Sequence, residues 1–272
     1  MISNISSTIL VFDSGVGGLS VYQEIRKLLP NLHYLYAFDN KGFPYGQKSA
    51  SEIIKCIISI VNAISQRFQL SLVVIACNSA SIVSLPFLRK HFTFPIVGVV
   101  PAIKPATCLT RNGVIGLLAT HGTVKSNYIQ QLITQFAHEC KIEMLSSSKL
   151  VELAEAKLHG EIINLADIRE IIKPWLCMQV SPDTIVLGCT HFPLLRHELQ
   201  SILSDKIQLV DSGTAIARRI GSLLKYNKSK KKPFSKENIA FCTRMDNNTM
   251  QLVPVLQYYG FHCLKKLIIC NY

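Results

Sequence analysis

The chain has 272 residues, 49% hydrophobic and 17% charged, which is an ordinary globular composition with room for one large α/β domain or two smaller ones. No uninterrupted apolar stretch is long enough to span a bilayer, and residues 9–12 are too short for a signal-peptide core, so a cytoplasmic protein without membrane contact is expected. The formal charge of +12 is dense only at Lys228-Ser229-Lys230-Lys231-Lys232, ahead of Pro233. That cluster reads as a solvated loop, and without a helix-turn-helix or aromatic-rich motif no nucleic-acid partner is expected.

Residues 8–12 form a strand-like run ending in Asp13-Ser14. Gly15-Val16-Gly17-Gly18-Leu19-Ser20 follows, then a helical segment to Leu29, then a second strand over 33–38 ending at Asp39. Strand, G-x-G-G, helix, strand and a later acid come close to a dinucleotide fingerprint, so a nicotinamide-dependent oxidoreductase is a rival reading. Ser20 at the third glycine position and a carboxylate directly before the glycines weaken it. Asp13 could orient or deprotonate a ligand at the strand end, or simply cap the next helix. Lys41 to Ser49 is a Pro- and Gly-punctuated loop, in which Tyr45-Gly46 could offer a phenol and a backbone N–H.

Residues 51–68 read as a helix, 72–76 as a strand, 79–91 as a helix and 94–100 as a short strand closed by Pro101. A second series starts after Pro105: strand 113–119, polar turn 120–123, helix 124–136, strand 142–145, helix 149–158, helix 167–175 ending near Pro174, strand 183–187 and helix 193–203. Residues 208–213 repeat the Val-Asp-Ser-Gly flavour of 11–15, and a helix runs from there to Tyr226. Strand 238–242, helix 251–259 and strand 263–269 close the chain. Alternating strands and helices imply mostly parallel sheets in two α/β domains. The expected division is 1–101 plus 211–272 against 102–210.

Nine cysteines (56, 77, 108, 140, 177, 189, 242, 263 and 270) are scattered without a CxxC pair, which argues for reduced thiols rather than disulfides or structural zinc. Two of them share a context. Val73-Val74-Ile75-Ala76-Cys77-Asn78-Ser79 and Ile185-Val186-Leu187-Gly188-Cys189-Thr190-His191 each run from a buried strand through a small residue and a cysteine into a helix start. Ligands bind at the carboxyl ends of such strands, and helix N-termini attract anions. Most intracellular cysteines are packing residues, but the repeated polar successor favours a function. Two thiols facing one small ligand suit removal of a proton from one face of a carbon and its return on the other. Asp13 and His191 could tune the thiols, and Ser14, Asn78, Ser79 and Thr190 could hold an anion. A cysteine hydrolase built on Cys189 and His191 is the competitor, though it leaves Cys77 without a role.

The stretches VFDSGVGGLSVY (11–22), FPYGQKS (43–49), VVIACNSAS (73–81), FPIVGVVPAIKPA (94–106), IGLLATHGTVKS (115–126), VELAEAKLHGE (151–161), IVLGCTHFPLL (185–195) and LVDSG (209–213) resemble the glutamate racemases of the aspartate/glutamate racemase superfamily, in their enteric proteobacterial form. The resemblance covers nearly the whole chain. It implies two pseudo-symmetric α/β domains with the active site between them. It also implies interconversion of L- and D-glutamate for peptidoglycan synthesis without metal, pyridoxal phosphate or nicotinamide. Cys77 matches the base acting on D-glutamate and Cys189 the base acting on L-glutamate. Asp13 and His191 match their assistants, and Glu155 a further active-site acid. Asp13, Ser14, Tyr45, Gly46, Asn78, Ser79, Thr190 and His191 match substrate-contacting positions. Some members of this branch respond to a nucleotide-linked muramyl-alanine activator, and a monomer or homodimer is expected. A racemase of another amino acid in the superfamily is the nearest alternative.

Overall fold

Short runs of β-branched and aromatic residues, apolar on both faces, belong in parallel sheets covered by helices. That is how this chain uses them. The computed structural model describes residues 7–226 and 237–269, so the lysine cluster at 228–232 and Cys270 lie outside the described residues. The strands are β1 (Thr8–Asp13), β2 (His33–Phe38), β3 (Leu72–Ile75), β4 (Ile96–Gly98), β5 (Val114–Ala119), β6 (Lys141–Ser146), β7 (Thr184–Leu187), β8 (Gln208–Val210), β9 (Ile239–Cys242) and β10 (Cys263–Lys266). Every pairing among them is parallel. One sheet has the order β10-β9-β2-β1-β3-β4 and the other β6-β5-β7-β8.

The chain divides into two compact units, Met1–Val99 with Gly213–Tyr272, and Val100–Ser212. Each unit makes the same four-strand excursion. Its second strand lies on one side of the first, its third on the other side, and its fourth outside the third. The register repeats as well: Phe12 pairs with Ile75 where Leu118 pairs with Leu187. The next residue donates in the same way, Ala76 N–H to Phe12 O and Gly188 N–H to Leu118 O, both at 2.7 Å. Reversal of strand order beside the first strand opens a crevice at the carboxyl ends, between the first and third strands. Cys77 follows β3 and Cys189 follows β7, so each unit carries its thiol at the mouth of its own crevice.

In the first unit the helix Ala50–Ser65 starts at a capping box in which Ser49 and Glu52 satisfy each other's backbone N–H groups. Its Ile53, Ile57, Ile60, Val61 and Ile64 recur at helical spacing and are buried against the sheet. Burial of each such side chain contributes about 1.5–3 kcal/mol. In the second unit Asp183 ties the turn before β5 to the start of β7. Its carboxylate accepts from Thr110 Oγ1 at 2.7 Å, Arg111 N–H at 2.7 Å, Asn112 N–H at 2.9 Å and Thr184 Oγ1 at 3.0 Å. Burial pushes its pKa up, but these donors outweigh burial and hold it below the usual aspartate value.

Several local expectations needed correction. Residues 120–123 are not a plain turn: Thr120 caps a short helix, His121–Val124, by accepting from Thr123 N–H. Residues Ile103–Thr107, beside Pro101 and around Pro105, form a short helix. The helix expected over 167–175 is Leu165–Leu176, with Pro174 in its last turn. Residues 193–203 are a 3-10 turn, Phe192–Leu195, followed by the helix Arg196–Ile202. The expected helix over 251–259 is Val253–Tyr258, and a separate short helix, Asn247–Met250, precedes it. The second Asp-Ser, Asp211-Ser212, follows β8, which is the counterpart of β4 and not of β1, so it has no structural kinship with Asp13-Ser14. Asp211 instead pairs with Arg196.

Candidate active site

In the first unit the crevice gathers residues from β1 and from the β3 turn. Asp13, fully buried, accepts from Gly15 N–H at 2.9 Å and from the Ser14 hydroxyl at 3.4 Å. The Ser14 hydroxyl also lies 3.6 Å from Cys77 Sγ, as a donor. Cys77 is itself the N-cap of the helix Asn78–His91, and its sulfur accepts from Ala80 N–H at 3.5 Å. A hydroxyl, an amide and the positive end of a four-turn helix all stabilise negative charge on that sulfur. Ser81 fixes the turn, donating to Ile75 O at 2.8 Å and accepting from Val99 N–H at 3.0 Å. Asn78 is buried, and its Oδ1 has no hydrogen-bond partner among the described residues. A buried amide oxygen in that state is an acceptor suited to a ligand ammonium. Ser79 follows it, partly buried.

In the second unit the thiol is served by an imidazole. Cys189 Sγ lies 3.7 Å from His191 Nδ1, and His191 Nε2 lies 2.6 Å from Glu155 Oε1 on the helix Lys149–Leu158. Burial alone would lower the His191 pKa. Hydrogen bonds to Cys189 and Glu155, and their charges, outweigh burial and raise it well above the ordinary value. A raised pKa favours the imidazolium, the form able to donate from both nitrogens. Thr190, between the two, is buried. The small residue before the cysteine is also explained, because a Cβ on Gly188 would sit 3.1 Å from Leu118 O and from two side chains.

A family model described as Asp/Glu/Hydantoin racemase matches residues 9–220. The chain belongs to this racemase family. It is 62% identical over 260 residues to a glutamate racemase of Klebsiella pneumoniae, covering 96% of this chain and 92% of that protein. A glutamate racemase of Escherichia coli is 59% identical over 262 residues, with the same coverage. The crystal structure of an Escherichia coli glutamate racemase, solved with L-glutamate and the activator UDP-MurNAc-Ala, superposes with a TM-score of 0.93 at 58% identity, over 97% of this chain and 99% of that one. A Bacillus anthracis glutamate racemase superposes with a TM-score of 0.82 at 26% identity, over 96% and 97%.

Within this racemase-family chain the near-fingerprint at residues 15–20 has a different use from dinucleotide binding. The Gly15 N–H is already spent on Asp13, and a Cβ on Gly18 would lie 2.7 Å from Asp13 Cβ and 2.9 Å from the Tyr36 hydroxyl. The glycines make room for a buried aspartate instead of a pyrophosphate. The N-cap of the following helix, Leu19–Leu28, is Gly18, so Asp13 does not cap it. Gly18→Ala therefore has to displace Asp13. A shift near 1 Å at a reacting group costs about 10²-fold in rate, and steady-state kinetics on G18A should show that loss in kcat with the fold intact by far-ultraviolet circular dichroism.

Asp39, the acid that a ribose would need, is also occupied. It accepts from the Tyr45 hydroxyl at 2.7 Å, Thr243 Oγ1 at 2.7 Å and Gly42 N–H at 3.1 Å, and is fully buried. The Tyr45 phenol donates to Asp39, while its ring packs near Phe12 in the same core cluster as Cys77. Gly46, beside it in the turn Tyr45–Gln47, is partly buried. Asp39 was legible only as an acid after a strand, because its three donors come from residues up to 204 positions away. Among the described residues no helix is long and apolar enough to cross a membrane.

Proposed function

We propose that the protein is a cytoplasmic glutamate racemase in which Cys77 and Cys189 exchange protons with opposite faces of the α-carbon. The observation that carries this reading is the duplicated setting: one buried thiol after the third strand of each unit, each hydrogen-bonded to groups that stabilise its anion. One thiolate removes the α-proton, leaving the electron pair on carbon, and the other thiol delivers a proton to the opposite side. From L-glutamate the base is Cys189, steadied by the His191 imidazolium and Glu155. From D-glutamate the base is Cys77, supported by Asp13 and Ser14. Asn78 Oδ1 accepts from the substrate ammonium, and Ser14, Ser79, Thr190 and the Tyr45-Gly46 backbone hold its carboxylates. The chemistry calls for no metal, pyridoxal phosphate or nicotinamide. The D-glutamate formed would supply peptidoglycan synthesis, and a UDP-MurNAc-alanine-type activator is the regulator expected from the Escherichia coli relative.

The test is incubation of cofactor-free enzyme with L-glutamate in heavy water. The circular dichroism signal should decay to zero, with deuterium at the α-carbon of both enantiomers. A parallel L-aspartate sample, which addresses the alternative amino acid, should keep its signal. An undiminished glutamate signal overturns the proposal.

A further inference from the structure

The helix Lys149–Leu158 is seated by its buried Leu150, Val151, Leu153 and Ala154 and offers Glu155 to His191. A second polar tie sets its rotation against the turn after His191. Lys157 Nζ donates to Leu194 O at 2.9 Å and pairs with Glu198 Oε1 at 2.6 Å. Leu194 belongs to the turn Phe192–Leu195 directly after His191, and its own N–H is held by His191 O at 3.1 Å. The same backbone segment is thus gripped by the lysine at its carbonyl and by the histidine at its amide. Side chains two residues apart leave a helix roughly 200° from each other. Glu155 and Lys157 therefore reach the 191–198 segment from different sides of the helix, and the two attachments together fix its rotation.

The pair is also better sheltered than a surface ion pair. The Glu198 side chain is only 15% exposed, and its second oxygen, Oε2, is buried without a partner among the described residues. Its charge leans on Lys157, which makes the tie costly to open.

We propose that Lys157 is a positioning residue for Cys189: by clamping the helix Lys149–Leu158 onto the 192–198 segment it keeps Glu155 aligned with His191, and His191 with the thiol. The proposal rests on the reading of Cys189 as a thiol served by His191. It touches neither Cys77 nor its partners, so its effect is one-sided.

The experiment measures the alkylation rate of Cys77 and of Cys189 by iodoacetamide, peptide by peptide in a mass spectrometer, at one neutral pH. Lys157→Met should slow Cys189 by about tenfold to a hundredfold, the range for a reacting group displaced by up to 1 Å. Cys77 should react at the wild-type rate, and Lys157→Arg should restore much of the loss at Cys189. Racemisation by K157M should lose kcat with KM unchanged. Glu198→Gln weakens the clamp from its other end and should give a smaller slowing of the same kind, which keeps the test usable if K157M fails to fold. Wild-type alkylation of Cys189 in K157M, or equal slowing of both thiols, overturns the proposal. Glu155→Gln separates the two levels. If E155Q slows Cys189 while K157M does not, the clamp alone is wrong. If neither slows it, the reading of His191 and Glu155 is wrong as well.

Discussion

Alanine at either Cys77 or Cys189 should lower racemisation by about 10²- to 10⁴-fold, the usual worth of a general acid or base, while each variant should go on exchanging one enantiomer. With Cys189 left, C77A should take the α-proton from L-glutamate and return a solvent-derived one to the same face. With Cys77 left, C189A should do the same for D-glutamate. Nuclear magnetic resonance in heavy water reads this as loss of the α-hydrogen signal with optical activity retained. Both cysteines are small and nearly buried, at 7% and 8% exposure, so truncation to alanine removes little volume and the fold should survive. Exchange of both enantiomers in either single variant would mean that one group serves both faces, and the two-thiol account would fall.

The second large effect concerns the charge on His191. Its folded-state pKa is raised well above the ordinary 6.5 because the Cys189 and Glu155 contacts overcome burial. A raised value favours folding while the ring is protonated. Its contribution is fully present below about pH 6.5, the unfolded value, and is lost as pH rises through the higher folded value. Glu155→Gln removes the anion from a 2.6 Å hydrogen bond to a ring that is 3% exposed. Charge-assisted hydrogen bonds contribute about 1.5–3 kcal/mol, so E155Q should be about 2 kcal/mol less stable than the parent at pH 6. That gap should narrow as the pH is raised beyond the folded-state pKa. Urea unfolding from pH 6 to strongly alkaline conditions checks this, and a gap independent of pH would show that His191 carries no charge in the folded protein. Catalytically, His191→Asn should fall about 10²-fold or more in kcat.

The sequence carried most of the architecture because the inner strands are buried along their length, as at Leu72–Ile75 and Thr184–Leu187. The thiols were legible because the same short grammar occurs twice. Features built by distant partners were not. Nothing local says that the Tyr45 hydroxyl turns to Asp39, or that Thr243 closes the same cluster from 204 residues away. Lys157 was equally hidden, since a lysine near the end of a helix usually points into solvent and only the fold brings Leu194 and Glu198 to it. Pro174 does mark the end of its helix, where its missing N–H removes a single bond. Pro105 concealed the short helix Ile103–Thr107.

The placement of β9 and β10 beside β2 has a consequence for biosynthesis. The segment Val100–Ser212 is continuous in sequence and is complete as soon as it leaves the ribosome. The other unit is interrupted by it, and has to wait for residues 239–266 before its sheet is finished. During that interval the outer side of His33–Phe38 has no neighbouring strand, and its backbone is open to adventitious β-pairing with another nascent chain. Truncation ahead of Ile239 makes that temporary vulnerability permanent, so a shortened product would be an aggregation hazard even though both cysteine-bearing turns remain in it.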